Sequence, residues 1–240
     1  MMQEAWIREE MMLGTEAVRR LQDSHVIVFG IGGVGSFAAE ALARAGIGTI
    51  TLVDSDAVSV SNRNRQLIAL SSTVGRMKSD VMAERVKDIN PDCRVTSLPF
   101  LYNEESKERF FHDGCHYDYI VDAIDLVSAK LSLIETALER QTPIISCMGT
   151  GNKLHPELFQ ITDISKTSVC PLCRVMRKEL RARGIDHHTV LFSTEEAITP
   201  LELEAPPPGR RSVPASVSWV PSTAGLMLAG HVIMELSGRK

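Results

Sequence analysis

The chain has 240 residues, 44% of them hydrophobic and 23% charged, with a formal net charge of -4. That length suits one large α/β domain, or one domain with an appendage, and is enough to bury a substantial core. The slightly acidic balance excludes a whole-molecule basic field, so any nucleic-acid contact has to come from a local patch.

Residues Met1 to Gly14 mix Glu4, Arg8, Glu9 and Glu10 among apolar side chains. This is not the charged-then-apolar order of a leader, and it predicts a cytoplasmic protein. Arg8 lies in a segment too short to hold a core of its own, and Glu16 to Gln22 predicts a short helix. The run His25-Val-Ile-Val-Phe29 then reads as a strand feeding Gly30-Ile-Gly-Gly-Val-Gly35, followed at once by small apolar residues at helical spacing. Strand, Gly-x-Gly-x-x-Gly turn and helix form the start of a nucleotide-binding βαβ unit. Gly30, Gly32 and Gly35 supply the tight bend, the close backbone approach and the close helix-on-strand packing, while the helix start attracts an anion. The unit closes on Thr49-Ile-Thr-Leu-Val-Asp54, a strand whose final carboxylate, 19 residues after Gly35, suits a ribose hydroxyl pair. A ligand-free glycine turn would explain the glycines but not Asp54.

From Asp54 to Gln66 runs a polar connection without glycine or proline, dense in side chains that grip phosphate or ribose. A helix through Val81, Ala83, Val86 and Ile89 stops at Pro91, and Arg94 to Leu98 is a third strand. Glu104 to Phe111 predicts a helix. Tyr117 to Asp125 is a nearly all-apolar strand of the kind found in the middle of a parallel sheet, running into Asp122 and Asp125 at its carboxyl end. Open α/β sheets bind ligands at that edge. A helix from Val127 to Arg140 and a strand from Pro143 to Cys147 continue the alternation.

Beyond Gly149 the pattern predicts a flexible crossover (Met148 to Lys153), a strand (Leu158 to Thr162), a helix (Cys170 to Arg183) stopped by Gly184, and a strand (Thr189 to Phe192). Five prolines with Gly209, Arg210 and Arg211 predict a mobile surface loop over 196–214. The apolar run from Ala224 to Leu236 is interrupted by His231 and Glu235 and is too short for a bilayer, so a buried helix is expected. The fold class is α/β, a Rossmann-like doubly wound, mostly parallel sheet with a C-terminal mixed extension. It divides into an N-terminal arm and helix (1–24), a nucleotide-binding core (25–150) and a substrate or dimer extension (151–240).

Five features occur together: Gly30-x-Gly-Gly-x-Gly-Ser36, Asp54-x-Asp56, Ser61-Asn62 with Asn64-Arg65-Gln66, Lys78 opening a helix, and Asp122-Ala-Ile-Asp125. The set resembles the adenylating family of MoeB, ThiF and HesA, relatives of ubiquitin-activating enzymes, over residues 25 to about 150. A narrower set is similar to the branch of tRNA threonylcarbamoyladenosine dehydratases: Gly46-Ile-Gly, Asn62-x-Asn-Arg-Gln66, Val81-Met-Ala-Glu-Arg85, Ile89-Asn-Pro91, Asp122-Ala-Ile-Asp125, Asp163-Ile-Ser-Lys-Thr167 and Phe192-Ser-Thr-Glu195.

The resemblance implies ATP held by Gly30, Gly32, Gly33 and Gly35, with Asp54 at the ribose hydroxyls and Asp56 among the nucleotide contacts. It implies Asn62, Arg65 and Lys78 along the triphosphate, Gln66 among the nucleotide contacts, and Asp125 on Mg²⁺, a hard cation that favours carboxylate and phosphate oxygens. Arg8, six residues before Gly14, corresponds to a mobile arginine that reaches into the partner subunit of a homodimer, although Trp6-Ile-Arg-Glu-Glu10 departs from the family's usual paired-arginine segment. The implied catalytic groups are therefore Arg8, Arg65, Lys78 and Asp125. The implied reaction is attack of a carboxylate on the α-phosphate of ATP, here the threonyl carboxylate of the tRNA nucleoside, followed by ring closure. Adenylation of the C-terminal glycine of a ubiquitin-like sulfur carrier is the alternative within this chemistry. An NAD-dependent oxidoreductase would use the glycines and Asp54 but not Asn62, Arg65, Lys78 and Asp125 together.

Five cysteines, an odd count, argue against a disulfide framework. Cys170-Pro-Leu-Cys173 has half the spacing of a four-thiolate zinc site, but Cys93, Cys115 and Cys147 are isolated and form no second pair. Zinc, redox or nucleophilic roles at the pair stand beside plain packing at a helix start, where thiol pKa values fall. The same helix carries Arg174, Arg177, Lys178, Arg181 and Arg183 against the single acid Glu179. Helical spacing puts most of these on one broad face, a local surface for a tRNA backbone or simply a solvated face.

Overall fold

The computed structural model describes residues 2–201, 203 and 213–239. Its elements in chain order are helices α1 (Met2–Ala5), α2 (Ile7–Leu13) and α3 (Thr15–Asp23), strand β1 (His25–Phe29), α4 (Gly35–Arg44), β2 (Thr49–Val53), α5 (Lys78–Ile89) and β3 (Arg94–Leu98). There follow α6 (Lys107–Phe110), β4 (Tyr119–Asp122), α7 (Val127–Glu139), β5 (Ile144–Cys147), β6 (Phe159–Asp163), α8 (Pro171–Ala182), β7 (Thr189–Ser193) and α9 (Trp219–Ser237).

The strands form one sheet in the order β3-β2-β1-β4-β5-β7-β6. Every neighbouring pair is parallel except β6 with β7, which run antiparallel at the edge. Strand order reverses between β1 and β4, which is the point where open α/β sheets leave a crevice at their carboxyl ends. The C-terminal part is thus the mixed extension expected, but it is built into the sheet, since β7 pairs directly with β5.

Side chains of β1 alternate between the two faces. Val26 and Val28 join a core cluster with α4, α5 and α9, while Ile27 and Phe29 join an aromatic cluster with Tyr102, Phe110, Phe111 and Tyr117 on the other face. A third cluster binds α7 to α8 around Leu131, Ile134, Met176 and Leu180. Helix α9 lies so close to the start of α4 that a Cβ on Gly225 would stand 2.2 Å from the Val34 carbonyl oxygen. It is the buried helix expected, and among the described residues no helix is long and apolar enough to cross a membrane.

Several boundaries differ from expectation. The strand predicted over Tyr117 to Asp125 is only Tyr119–Asp122, so Asp125 sits in the β4–α7 connection. The helix predicted over Glu104 to Phe111 is a 3-10 turn, Glu104–Ser106, followed by the short α6. The segment carrying Arg8 is the helix α2, anchored by Trp6, whose indole Nε1 donates to the Arg44 carbonyl at 2.8 Å. The expected mobile loop falls in part on residues 202 and 204–212, Gly209, Arg210 and Arg211 among them, which lie outside the described residues.

Candidate functional site: a cleft at the carboxyl edge

The glycine turn is set by two close approaches. Gly30 has φ +85°, and a Cβ there would stand 2.7 Å from the Ala123 carbonyl oxygen, so the turn is pressed onto the β4–α7 connection. A Cβ on Gly35 would lie 1.7 Å from the Gly30 carbonyl oxygen, so only glycine lets α4 begin directly under the turn. Gly30, Gly32 and Gly33 line a cleft of about 730 Å³. Gly35, expected among the nucleotide contacts, is buried beneath the turn and outside that lining; its place is packing.

One end of the cleft is apolar, walled by Phe29, Val53, Leu101 and Tyr102, and suits a flat heteroaromatic base. Asp54 borders it. Its Oδ2 accepts from the Ile31 amide at 2.6 Å and its Oδ1 from the Asp56 amide at 2.9 Å, which fixes the carboxylate at the strand end. Burial pushes the Asp54 carboxyl up, opposed by the Lys78 ammonium and those two amides. Lys78, the first residue of α5, is itself buried and donates to Asp56 Oδ2 at 2.7 Å, with Asp54 Oδ1 at 4.0 Å. Asp56 therefore holds Lys78 at the cleft wall.

Across the glycine turn stand Asn62, Arg65 and Gln66. Asn62 Oδ1 accepts from the Ser59 amide at 3.0 Å and so closes the turn that presents Arg65. Gln66 is buried, and its Oε1 has no hydrogen-bond partner among the described residues, although it faces a cleft. Asp125 lies exposed on the facing wall. No group of three or more His, Cys, Asp or Glu side chains that could hold a metal ion occurs among the described residues. One cleft carboxylate is nevertheless the donor set Mg²⁺ takes when phosphates and water complete its shell.

Arg8 is not in this cleft. Helix α2 is pinned by Trp6 to the carboxyl end of α4, whose amino end carries the glycine turn. Ten residues of helix, about 15 Å, separate the two ends.

Sequence reasoning placed Asp122 at the strand end but passed over Lys130 and His188, which lie with it beneath the cleft. Asp122 and Lys130 are both fully buried, Nζ donating to Oδ2 at 2.9 Å and to the Cys147 carbonyl at 2.8 Å, while Asp122 Oδ1 accepts from the Ile124 amide at 3.1 Å. This joins the ends of β4 and β5 and bends the chain towards Asp125. The available signal was a lysine on the apolar stripe of α7, between Val127 and Ile134. Beside the pair, His188 is buried with Nε2 at 2.8 Å from Ser146 Oγ. Burial lowers it from its ordinary 6.5 to about 4. The unfolded chain therefore takes up a proton that the native chain refuses. Stability is full above about pH 6.5 and falls as pH drops towards 4, by up to roughly 3 kcal/mol from this group. Urea midpoints at pH 7 and pH 5 should show that slope in the wild type and a shallower one in His188→Gln; equal slopes would remove His188 as its source.

The walls contributed by Met148 to Gly151 and by Pro214 to Ser216 also went unpredicted as lining. Cys170 and Cys173 are buried in the α7–α8 cluster. Hydrogen bonds from the Cys173 thiol and from the Cys173, Gly149 and Leu172 amides hold the Cys170 thiol below its ordinary range, and that bond together with burial pushes the Cys173 thiol up. On α8, Arg174, Lys178 and Arg181 are exposed, whereas the partly buried Arg177 donates to the Thr167 carbonyl at 2.8 Å.

Comparison with known proteins gives concordant matches. The family model described as ThiF family matches residues 7–240. The chain is 47% identical over 238 residues to the tRNA threonylcarbamoyladenosine dehydratase of Bacillus subtilis, covering 95% of this chain and 93% of that protein. It superposes on the crystal structure of the Escherichia coli tRNA N6-threonylcarbamoyladenosine dehydratase, TcdA, in complex with ATP. The TM-score is 0.87 and the identity 35%, over 98% of this chain and 95% of that one. The AMP complex of the same protein matches with a TM-score of 0.88 at 34% identity and the same coverage.

Proposed function

The chain belongs to the ThiF family, and from that premise we propose that it is an ATP-dependent tRNA threonylcarbamoyladenosine dehydratase. It adenylates the threonyl carboxylate of the modified nucleoside and promotes its cyclisation. The observation that carries this reading is the cleft itself: an apolar base end, the fixed Asp54, and Arg65, Lys78 and Asp125 beyond the glycine turn. The crystal structures of TcdA in complex with ATP and with AMP support an adenine nucleotide as the ligand.

In this reading Asp54 accepts from the ribose hydroxyls, and Arg65 and Lys78 neutralise the phosphates as pyrophosphate leaves. Asn62 and Gln66 complete the polar wall. Catalysis then rests on alignment and charge stabilisation. Asp125 would hold Mg²⁺, which supplies further neutralisation of phosphate charge. No side-chain nucleophile is needed, because the attacking group belongs to the substrate. The exposed Arg174, Lys178 and Arg181 would meet tRNA phosphates, and Arg177, whose guanidinium is engaged by Thr167, would contribute less. A cytoplasmic location fits a tRNA substrate.

The deciding experiment measures pyrophosphate release with ATP and full-length modified tRNA against a panel of ubiquitin-like carrier proteins, and titrates Mg-ATP against NAD. Turnover on tRNA alone and tighter ATP binding are expected. Turnover on a carrier, or tighter NAD binding, would overturn the assignment. Reversing Arg174, Lys178 and Arg181 to Glu should weaken tRNA binding and flatten its salt dependence by about 0.7 to 0.9 in the log-log slope per lost contact, with ATP affinity unchanged.

The active form is proposed to be a homodimer with Arg8 acting in trans, because α2 stands at the far end of α4 from its own cleft. Arg8→Ala and Lys78→Ala subunits should each be inactive alone and regain part of the activity when mixed. No recovery in verified heterodimers would place Arg8 in cis or make it idle.

A further inference from the structure

We propose that Asn64 is the positioning residue that aims Arg65 at the β- and γ-phosphates of ATP and couples that aim to the strap 213–217 along the cleft. The inference rests on the adenylation reading in taking Arg65 as a phosphate grip. Arg65 Nη1 carries two N–H groups. It donates to the Ser61 carbonyl at 3.0 Å and to Asn64 Oδ1 at 2.9 Å. That nitrogen is thereby spent on neighbours in the chain, and the guanidinium is left to meet the nucleotide with Nη2 and Nε, whose three N–H groups form the edge suited to a bidentate hold on phosphate.

The other end of the Asn64 amide reaches the strap. Its Nδ2 donates to the Ser216 carbonyl at 2.9 Å, across 152 residues of sequence. On the opposite bank Asn152 Oδ1 accepts from the Ala215 amide at 2.7 Å, and the Asn152 amide donates to the Ala215 carbonyl at 2.8 Å. Asn152 adopts φ 60°, a left-handed conformation that asparagine tolerates. Pro214, Ala215 and Ser216 line the cleft between these two fixings, together with Gly149 to Gly151.

A nucleotide that immobilises Arg65 also immobilises Asn64 and, through it, Ser216. Holding the triphosphate thus stiffens the wall that Pro214 to Ser216 form, and loss of pyrophosphate removes that added restraint. By reciprocity, whatever stiffens the strap tightens ATP binding by the same factor. Asn64 is exposed, so its removal opens no cavity and the variant should fold.

The test is Asn64→Ala, with calorimetric titration of ATP and of AMP and amide hydrogen exchange at Ala215 and Asn152. ATP should bind about tenfold more weakly and AMP within about twofold of wild type, because only ATP carries the phosphates Arg65 meets. In the wild type ATP should slow exchange at Ala215, AMP should not, and in Asn64→Ala neither should. Equal loss for both nucleotides would mark Asn64 as merely structural. Unchanged ATP affinity, or ATP still slowing Ala215 in the variant, would overturn the coupling. None of these measurements needs an acyl substrate, so failure of the tRNA assignment, seen as no pyrophosphate release by the wild type on modified tRNA, remains separate.

Discussion

Asp125→Ala should reduce adenylate formation by at least 10²- to 10³-fold, the scale on which removal of one group stabilising transition-state charge is felt, while the melting temperature moves by no more than about 2 °C. The side chain is exposed at the cleft wall in the connection after β4, so truncation leaves no buried hole. Pyrophosphate release and thermal melts on the same preparation check both halves. A collapse in melting temperature would make Asp125 structural, and full activity would remove it, with the proposed Mg²⁺ site, from the reaction.

The largest stability effect is expected at Lys130. Lys130→Met strands the Asp122 carboxylate where both side chains are fully buried, and breaking a buried pair in this way costs about 3–5 kcal/mol. For a chain of this size that corresponds to a fall in melting temperature on the order of 10 °C. Replacing both residues, Asp122→Leu with Lys130→Met, should recover part of the stability, since apolar substitutes of similar volume fill such sites well. It should not recover the adenylation rate, because leucine cannot accept the Ile124 amide that shapes the turn into Asp125. A single variant as stable as wild type would show that the pair contributes little.

The outcome at particular residues separates what is local from what is not. The glycine turn, the strand before it and Asp54 could be read from spacing, because strand, turn and helix follow one another within one βαβ unit and each leaves its own period in the sequence. The alternation of strands and helices up to β5 was legible for the same reason. Lys130 was not, because its partners are brought to it by the pairing of β4 with β5, and only its place on an apolar stripe hinted at them. Arg8 could be placed in a segment but not at an end of the molecule, which depends on Trp6 meeting Arg44.

The sequence by itself thus determined the class of fold, the nucleotide turn and the residue types around it, since backbone sterics and hydrophobic period act over a few residues. The tertiary structure decided that β7 lies between β5 and β6, that Gly35 stays outside the cleft lining, and that Asp56 holds Lys78. It also brought Asn64 to a strap 152 residues away. These are contacts between segments whose separation in the chain carries no periodic signal, and they are selected only when the whole core closes and each buried polar group must find a partner.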